Sequence, residues 1–184
     1  LSRFKLQPEF VVACSVRRGQ ARDLRTLLMA VRKVVDAAPR AVFFIKGAEP
    51  EEARAMAANL DIQDQCAFLA RDENETFLAA SAISHALLLV PWSGDRYVDP
   101  EVFSLLHSQA PLVAVETEAM RDILNEQNSV PVLPSVDSIA EGLIRTLREP
   151  LFSLGVAMQG QQLIANRYSY PSFKHKVRMA YHDL

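Results

Sequence analysis

The sequence predicts an α/β fold in which helices cover both faces of a doubly wound, mainly parallel, six-stranded Rossmann-like sheet. Short apolar runs rich in β-branched residues alternate with stretches that carry apolar residues at helical spacing. The connections between these segments are short, and many of them contain Gly or Pro. Strands and helices that alternate in this way form parallel sheets, because each helix returns the chain to the same edge.

Length and composition predict one soluble domain. The chain has 184 residues, which is enough to bury a sizeable core. Lys and Arg number 20 against 22 Asp and Glu, so the net charge of −2 offers no case for binding nucleic acid or an anionic membrane. The longest apolar stretch, AISHALLLVPW, contains a His and is too short to cross a bilayer. We therefore expect a cytoplasmic protein without a transmembrane segment.

The first residues and the cysteines suggest a piece of a longer intracellular protein. The start, LSRFKLQPEF, lacks the apolar region of a signal peptide, and it begins with Leu instead of Met. Cys14 and Cys66 each lie in an apolar run, which is typical of reduced core thiols. Because the sequence has no CxxC, HxxxH or HExxH motif, we expect no metal site.

The first strand and helix set the pattern for the chain. FVVACSV (Phe10–Val16) is a nearly continuous apolar run, which suits a strand buried on both faces. The helix DLRTLLMAVRKVV follows it with one apolar stripe. We expect Asp23 to cap the start of this helix and Pro39 to end it.

The same unit recurs to the end of the chain. The further predicted strands are AVFFIKG, CAFLA, HALLLVP, PLVAVE and the weak edge strand SVPVLP. The further predicted helices are PEEARAMAANL, NETFLAASAI, PEVFSLLHSQ, EAMRDILNEQ and SVDSIAEGLIRTLRE, followed by a helical tail at about 151–184. Doubly wound sheets bind ligands at the carboxyl ends of their strands. That rule selects the loops after Val16, Gly47, Leu69 and Val90.

Six segments in order resemble the C-terminal, donor nucleotide-sugar-binding domain of GT-B fold, group 1 (retaining) glycosyltransferases. VACSVRRGQARDLRTLLMAV is similar to that family's first strand, Arg-x4-Lys turn and first helix. AVFFIKGAEPEEARAMAANLDIQDQCAFLA is similar to the next unit, with Gly47 at the family's strand-ending Gly. The other similar segments are FLAASAISHALLLVPWSGD, SQAPLVAVE, VPVLPSVDSIAEGLIRTLREP and RYSYPSFKHKVRMAY.

The resemblance implies an enzyme fragment. Residues 1–184 would form one half of a GT-B fold, and the acceptor-binding domain would precede Leu1. The implied function is to bind a nucleoside-diphosphate sugar, with UDP or GDP as the nucleotide, for transfer to an acceptor. The donor is a substrate, so no cofactor is expected. The expected partners are this donor and the protein's own N-terminal domain, and peripheral membrane contact of the full-length protein stays open. Since the chemistry lies between the two domains, the isolated domain is expected to be inactive.

Arg17 and Arg22 are the predicted binding residues for the donor diphosphate. Val16-Arg17 stands where the family has Gly-Arg, and Arg22 stands at the family's Lys. The planar guanidinium matches phosphate oxygens, and charge stabilisation of a diphosphate leaving group is part of the catalysis. The alternative is a solvated basic turn, because Arg18 and Arg25 lie alongside.

The family's Glu-x7-Glu motif is degenerate in this chain. Counting back from Pro111 places Ser104 at the second Glu and Arg96 at the first, whereas counting forward from Pro91 places Asp95 at the first. The resemblance therefore assigns Asp95, Arg96 and Ser104 to the donor sugar or ribose. Asp95 is alternatively a turn residue in SGD.

Arg71 is the candidate near the nucleotide base. It follows FLA, where the family's loop passes the base. The alternative is an exposed surface residue without a role in binding. No catalytic residue can be assigned.

Two other classes of function compete with the glycosyltransferase interpretation. The first is a catalytically inactive GT-B-type domain kept as a scaffold or interaction module, which the degenerate acidic motif favours. The second is a flavodoxin-like receiver or another doubly wound binding protein, which would need an acidic cluster or a flavin loop. Neither is found, and GxGxxG and Walker A motifs are missing from the sequence too. The sequence names neither the sugar, the base, the acceptor nor the stereochemical outcome.

Overall fold

The computed structural model describes residues 7–16, 21–91, 97–172, 174 and 178–179. In helix residues 21 and 22 it describes the backbone only.

Six strands in the described part of the chain form one all-parallel sheet. Its order is β3-β2-β1-β4-β5-β6, so the predicted doubly wound fold is confirmed. Strands β2 and β3 are added on one side of β1, and β4, β5 and β6 on the other, so the strand order switches between β1 and β4, which are parallel neighbours at the centre. The strands are β1 (Phe10–Val16), β2 (Ala41–Lys46), β3 (Cys66–Leu69), β4 (Ala86–Val90), β5 (Leu112–Val115) and β6 (Val130–Val132).

Helices connect the strands and cover both faces of the sheet. They are α1 (Ala21–Ala37), α2 (Pro50–Asn59), α3 (Asn74–Ala82), α4 (Glu101–Leu106), α5 (Val136–Arg148) and α6 (Pro150–Leu163). A 3-10 turn lies at Glu118–Met120, and a π-helical turn at Ile164–Tyr168 continues α6. The predicted helical tail thus begins with α6.

The sheet separates two apolar cores. Alternate residues of a strand point to opposite faces. In β1, Val12 and Cys14 belong to the core beneath α1, α2 and α5. Val11 and Ala13 belong to the core beneath α3 and α4. Because β1 is buried along nearly its whole length, its apolar run is continuous, as expected for a parallel strand covered on both sides.

Three predicted helix details are wrong. Helix α1 begins at Ala21, so Asp23 lies in its first turn and is not its cap. The carboxylate remains near the positive end of the helix, where it is favourable. Helix α4 ends at Leu106, earlier than PEVFSLLHSQ predicts.

The third difference is in the predicted helix EAMRDILNEQ, which forms only the 3-10 turn and further turns. Two asparagines account for this. The Asn128 amide donates to the Ile123 carbonyl at 2.9 Å and accepts from the Asn125 backbone N–H at 3.0 Å. Such side-chain bonds to the backbone compete with helical hydrogen bonds.

Both cysteines are free thiols, as predicted. Cys14 is buried in the core, and Cys66 is half-buried beside it. Burial raises the pKa of the Cys66 thiol to about 12 and raises that of Cys14 further. Both are therefore protonated, unreactive packing residues near neutral pH.

The described residues contain neither a membrane-spanning helix nor a cluster of metal ligands. No described helix is both long enough and apolar enough to span a bilayer. Within the same residues, no three His, Cys, Asp or Glu side chains come together in a way that could hold a metal ion.

Gly47, directly after β2, lies against the end of β1. Its φ is +99°, and a Cβ there would lie 1.9 Å from the Val16 carbonyl oxygen. We expect Gly47→Ala to lower the free energy of unfolding by at least about 2 kcal/mol, because both the backbone conformation and the contact become unfavourable. Urea unfolding followed by circular dichroism measures this.

Gly155→Ala is the matched control for Gly47→Ala. Gly155 lies within α6, and a Cβ there would meet no heavy atom within 4 Å. Since Ala is the better helix former, this variant should be more stable by up to about 1 kcal/mol. Equal unfolding midpoints for the two variants would contradict the proposed strain at Gly47.

Candidate functional site

The carboxyl edge of the sheet is where the fold predicts a ligand. The described strand ends there are Val16, Lys46, Leu69, Val90, Val115 and Val132. In the central pairing, Ser15 of β1 lies opposite both Lys46 of β2 and Leu89 of β4. The site therefore begins where the strand order switches between β1 and β4, as in other doubly wound folds.

On one face of the sheet, Ser15 and Lys46 are the last residues of β1 and β2, and the residues that precede them on that face are apolar. Strand alternation places Ser15 on the same face as Ala13, and Lys46 on the same face as Phe44. That face is covered by α3 and α4. Both side chains therefore point beneath these two helices, at the edge where the apolar core gives way to solvent.

Glu101, the first residue of α4, joins these two polar side chains. Its Oε1 accepts from Lys46 Nζ at 2.6 Å, and its Oε2 accepts from the Ser15 hydroxyl. The Lys46 and Glu101 side chains are only 15% and 25% exposed. The backbone N–H of Glu101 donates to Asp99 Oδ1 at 3.0 Å, which fixes the start of α4. The result is a largely buried ion pair that links β1, β2 and α4.

Helix α3 supplies the other neighbours of Lys46. The Lys46 ammonium donates to Asn74 Oδ1 at 3.3 Å and lies 4.4 Å from the centre of the Phe77 ring. A cation over an aromatic face is attracted by the negative charge of the ring surface. Lys46 is therefore held on three sides, by a carboxylate, an amide oxygen and a ring.

A groove of about 500 Å³ runs between α3 and α4 from this cluster. Its walls combine apolar side chains with hydroxyl, amide and imidazole groups. Lys46 and Glu101 are the only Lys, Arg, Asp or Glu among the described residues that line it, and they are paired with each other. The lining residues are Lys46, Asn74, Phe77, Leu78, Ser81, Ala82, Glu101, Ser104, Leu105, His107, Ser108 and Gln109.

The structure places two of the predicted site residues. Ser104 is exposed and lines the groove, one helical turn after Glu101. Arg71 is exposed in the turn that leads from β3 into α3, whose first residue, Asn74, lines the groove. Both lie on the α3 and α4 side of the carboxyl edge, although only Ser104 is part of the groove wall. Their roles toward a ligand stay predictions.

The structure does not describe the side chains of the remaining predicted site residues. Arg17, Asp95 and Arg96 fall in the segments 17–20 and 92–96. Arg22 lies in the first turn of α1, where the structure describes its backbone only. The proposed diphosphate and sugar contacts of these residues therefore stay predictions.

Ser15, Lys46 and Glu101 were not among the site residues predicted from the sequence. One signal was available for Lys46, because a charged residue that ends a buried parallel strand must reach the edge of the sheet. Glu101 had no such signal, since an acidic residue in the first turn of a helix is ordinary. Glu101 is 55 residues from Lys46 and 86 from Ser15, so only the topology brings the three together.

No protein-family model matches this sequence, and no curated protein sequence matches it either. Solved structures, in contrast, match it over nearly its whole length. The C-terminal domain of the group 1 glycosyltransferase LpcC from Francisella tularensis is 16% identical, with a TM-score of 0.73. That match covers 90% of this chain and 89% of the LpcC domain.

Two longer proteins contain a domain of similar fold. Anabaena HepE, solved with UDP and glucose, is 11% identical and has a TM-score of 0.73, over 95% of this chain and 49% of HepE. S. aureus TarM, solved as a mutant with fondaparinux, alpha-GlcNAc-glycerol and UDP, is 13% identical and has a TM-score of 0.74, over 94% of this chain and 35% of TarM.

These comparisons establish the fold. The chain has the fold of the C-terminal domain of group 1 GT-B glycosyltransferases, as the sequence resemblance predicted. It spans between about a third and a half of the length of TarM and HepE.

The Lys46–Glu101 pair gives a stability prediction. In a double-mutant cycle of Lys46→Met and Glu101→Gln, each single change should cost about 1–3 kcal/mol of unfolding free energy, because it leaves a largely buried charge or hydrogen-bonding group without its partner. The coupling energy should exceed about 1 kcal/mol. Urea unfolding of the four proteins measures it.

The matched control is the pair Arg40 and Glu9. Its atoms are 2.7 Å apart, but the side chains are 64% and 49% exposed. The same cycle there, with Arg40→Met and Glu9→Gln, should give a coupling energy below about 1 kcal/mol, because water screens the pair. Equal coupling in the two cycles would show that burial does not strengthen the Lys46 pair.

Proposed function

We propose that this chain is the donor-binding domain of a glycosyltransferase that uses a nucleoside-diphosphate sugar. The observation that carries the proposal is the position of the groove. It opens at the carboxyl edge of a doubly wound sheet whose fold is shared, over 90% of this chain, with a group 1 glycosyltransferase domain. This edge is where such sheets bind nucleotides.

The groove has the chemistry of a nucleoside subsite. The exposed side chain of Leu78 offers apolar contact for a base or a sugar ring, while Asn74 and Ser104 offer hydrogen bonds to hydroxyl and amide groups. Because Lys46 and Glu101 already form an ion pair, the rest of the lining suits the uncharged part of a nucleotide. The diphosphate then needs cations nearby, which Arg17 and Arg22 are proposed to supply from the loop after β1 and the start of α1.

UDP is the first nucleotide to test. TarM and HepE were both solved with UDP, and HepE with glucose in addition. We extend UDP to this chain as part of the proposal, and keep GDP as the alternative. Transfer itself requires an acceptor-binding domain, so we propose binding without turnover for this chain alone.

A non-catalytic scaffold is the second candidate. Two observations favour it. The ion pair between Lys46 and Glu101 already occupies the strand ends, and Ser104 stands where the resembling family has the second Glu of its motif. A serine hydroxyl makes weaker contacts to a ribose than a carboxylate does. A scaffold would keep the fold and bind no nucleotide.

Ligand-observed NMR with UDP, GDP and ADP separates the two functions. We expect saturable binding of one of these nucleotides to this chain. The double variant Arg17→Ala/Arg22→Ala should weaken it by at least about tenfold, because it removes charge-assisted bonds to the diphosphate.

The matched control is Arg18→Ala/Arg25→Ala, which removes the same charge from neighbouring positions. It should change the dissociation constant by less than about threefold if the phosphate contacts are specific. If both double variants lose the same amount of nucleotide affinity, the arginines act only through the overall positive charge of this region and not through specific phosphate contacts. If the folded chain binds none of the three nucleotides at millimolar concentration, the scaffold function is favoured.

A further inference from the structure

We infer that Lys46 binds the diphosphate of an anionic ligand and that Glu101 is its exchangeable counterion in the free domain. Ligand binding would then replace the Glu101 carboxylate with phosphate oxygens at the Lys46 ammonium. The inference rests on the proposed function for the nucleoside part of the ligand only. The family resemblance assigns neither Lys46 as a phosphate-binding residue nor Glu101 as the carboxylate that competes with the ligand.

Burying the Lys46–Glu101 ion pair costs free energy. Removing two charges from water is unfavourable, and well-packed apolar side chains at such positions are often at least as stable. Here the residues that precede Ser15 and Lys46 on the same face of their strands are apolar. A largely buried pair at the ligand-binding edge therefore fits a binding role better than a stabilising one.

The two partners differ in their freedom to move. Lys46 ends a buried strand, is 15% exposed, and is held by Asn74 and the Phe77 ring. Glu101 is 25% exposed and begins a helix of six residues next to the groove. Rotation of the Glu101 side chain toward solvent needs no movement of the sheet. Glu101 is therefore the partner that leaves.

Departure of Glu101 creates an anion site. Among the described residues, no other carboxylate forms an ion pair with Lys46. A largely buried ammonium without a counterion is unstable, so it favours entry of another anion. A diphosphate carries more negative charge than one carboxylate, and a lysine ammonium is a common phosphate-binding group. The groove beside Lys46 leaves room for the rest of the ligand.

The exchange predicts that Glu101 weakens the binding of anions. The apparent affinity falls in proportion to the fraction of molecules in which Lys46 is accessible. Glu101→Gln keeps the shape of the side chain and removes its charge. It should therefore tighten the binding of inorganic pyrophosphate, measured by isothermal titration calorimetry, by at least about tenfold. Adding Lys46→Met to Glu101→Gln should abolish this gain.

Two further variants make the test specific. Glu75→Gln removes the same charge from the first turn of α3, where Glu75 is exposed, and should change the affinity for pyrophosphate by less than about twofold. Ser15→Ala removes the hydroxyl that holds the second oxygen of Glu101, and its affinity should lie between those of the parent chain and Glu101→Gln. Circular dichroism establishes that each variant is folded. Ser15→Ala also serves as the second test if Glu101→Gln does not fold.

The outcomes separate this inference from the proposed function. The inference is overturned if Glu101→Gln binds pyrophosphate no more tightly than the parent chain, or if the gain survives Lys46→Met. UDP titrations on the same proteins test the function. If pyrophosphate binds through Lys46 and UDP binds to none of the variants, the phosphate site stands and the nucleotide-sugar function fails. If UDP binds equally to all of them, the function stands and the role of Lys46 is overturned.

Discussion

Burial of the sheet on both faces is the constraint on which the rest of the structure depends. The central strands β1, β2 and β4 are covered by helices on each side, so their side chains must be apolar wherever no hydrogen-bonding partner is available. Polar chemistry is confined to the strand ends. Ser15 and Lys46 appear there, and both are satisfied by one carboxylate from α4.

This constraint also fixes the electrostatics of the candidate site. Lys46 and Glu101, the only Lys, Arg, Asp or Glu in the described lining of the groove, balance each other as an ion pair. A diphosphate would add negative charge to this edge. Its binding therefore requires either new cations from the loop after β1 or the release of the cation already present. Arg17 and Arg22 are proposed to supply the new cations, and Lys46 is proposed to be the released cation. The two contributions can operate together.

The sequence predicted the strands better than the helices, and the helices better than the site. Parallel strands buried on both faces produce continuous apolar runs, so β1 was located residue for residue. The helix predicted around Asn125 failed because asparagine bonds to the backbone outweighed its apolar spacing. The cluster of Ser15, Lys46 and Glu101 could not be predicted, because it depends on which strands become neighbours. The resemblance did direct attention to Ser104, which lies in the groove.

The two edge strands have a consequence for the behaviour of the domain in concentrated solution. Exposed strand edges invite pairing with other chains, which leads to aggregation. Here β3 has four residues and β6 has three, with Pro131 at the centre of β6. Proline has no N–H to donate, and strands this short offer few bonds to a second sheet. Pairing of the sheet with strands of other molecules is therefore disfavoured at both of its edges.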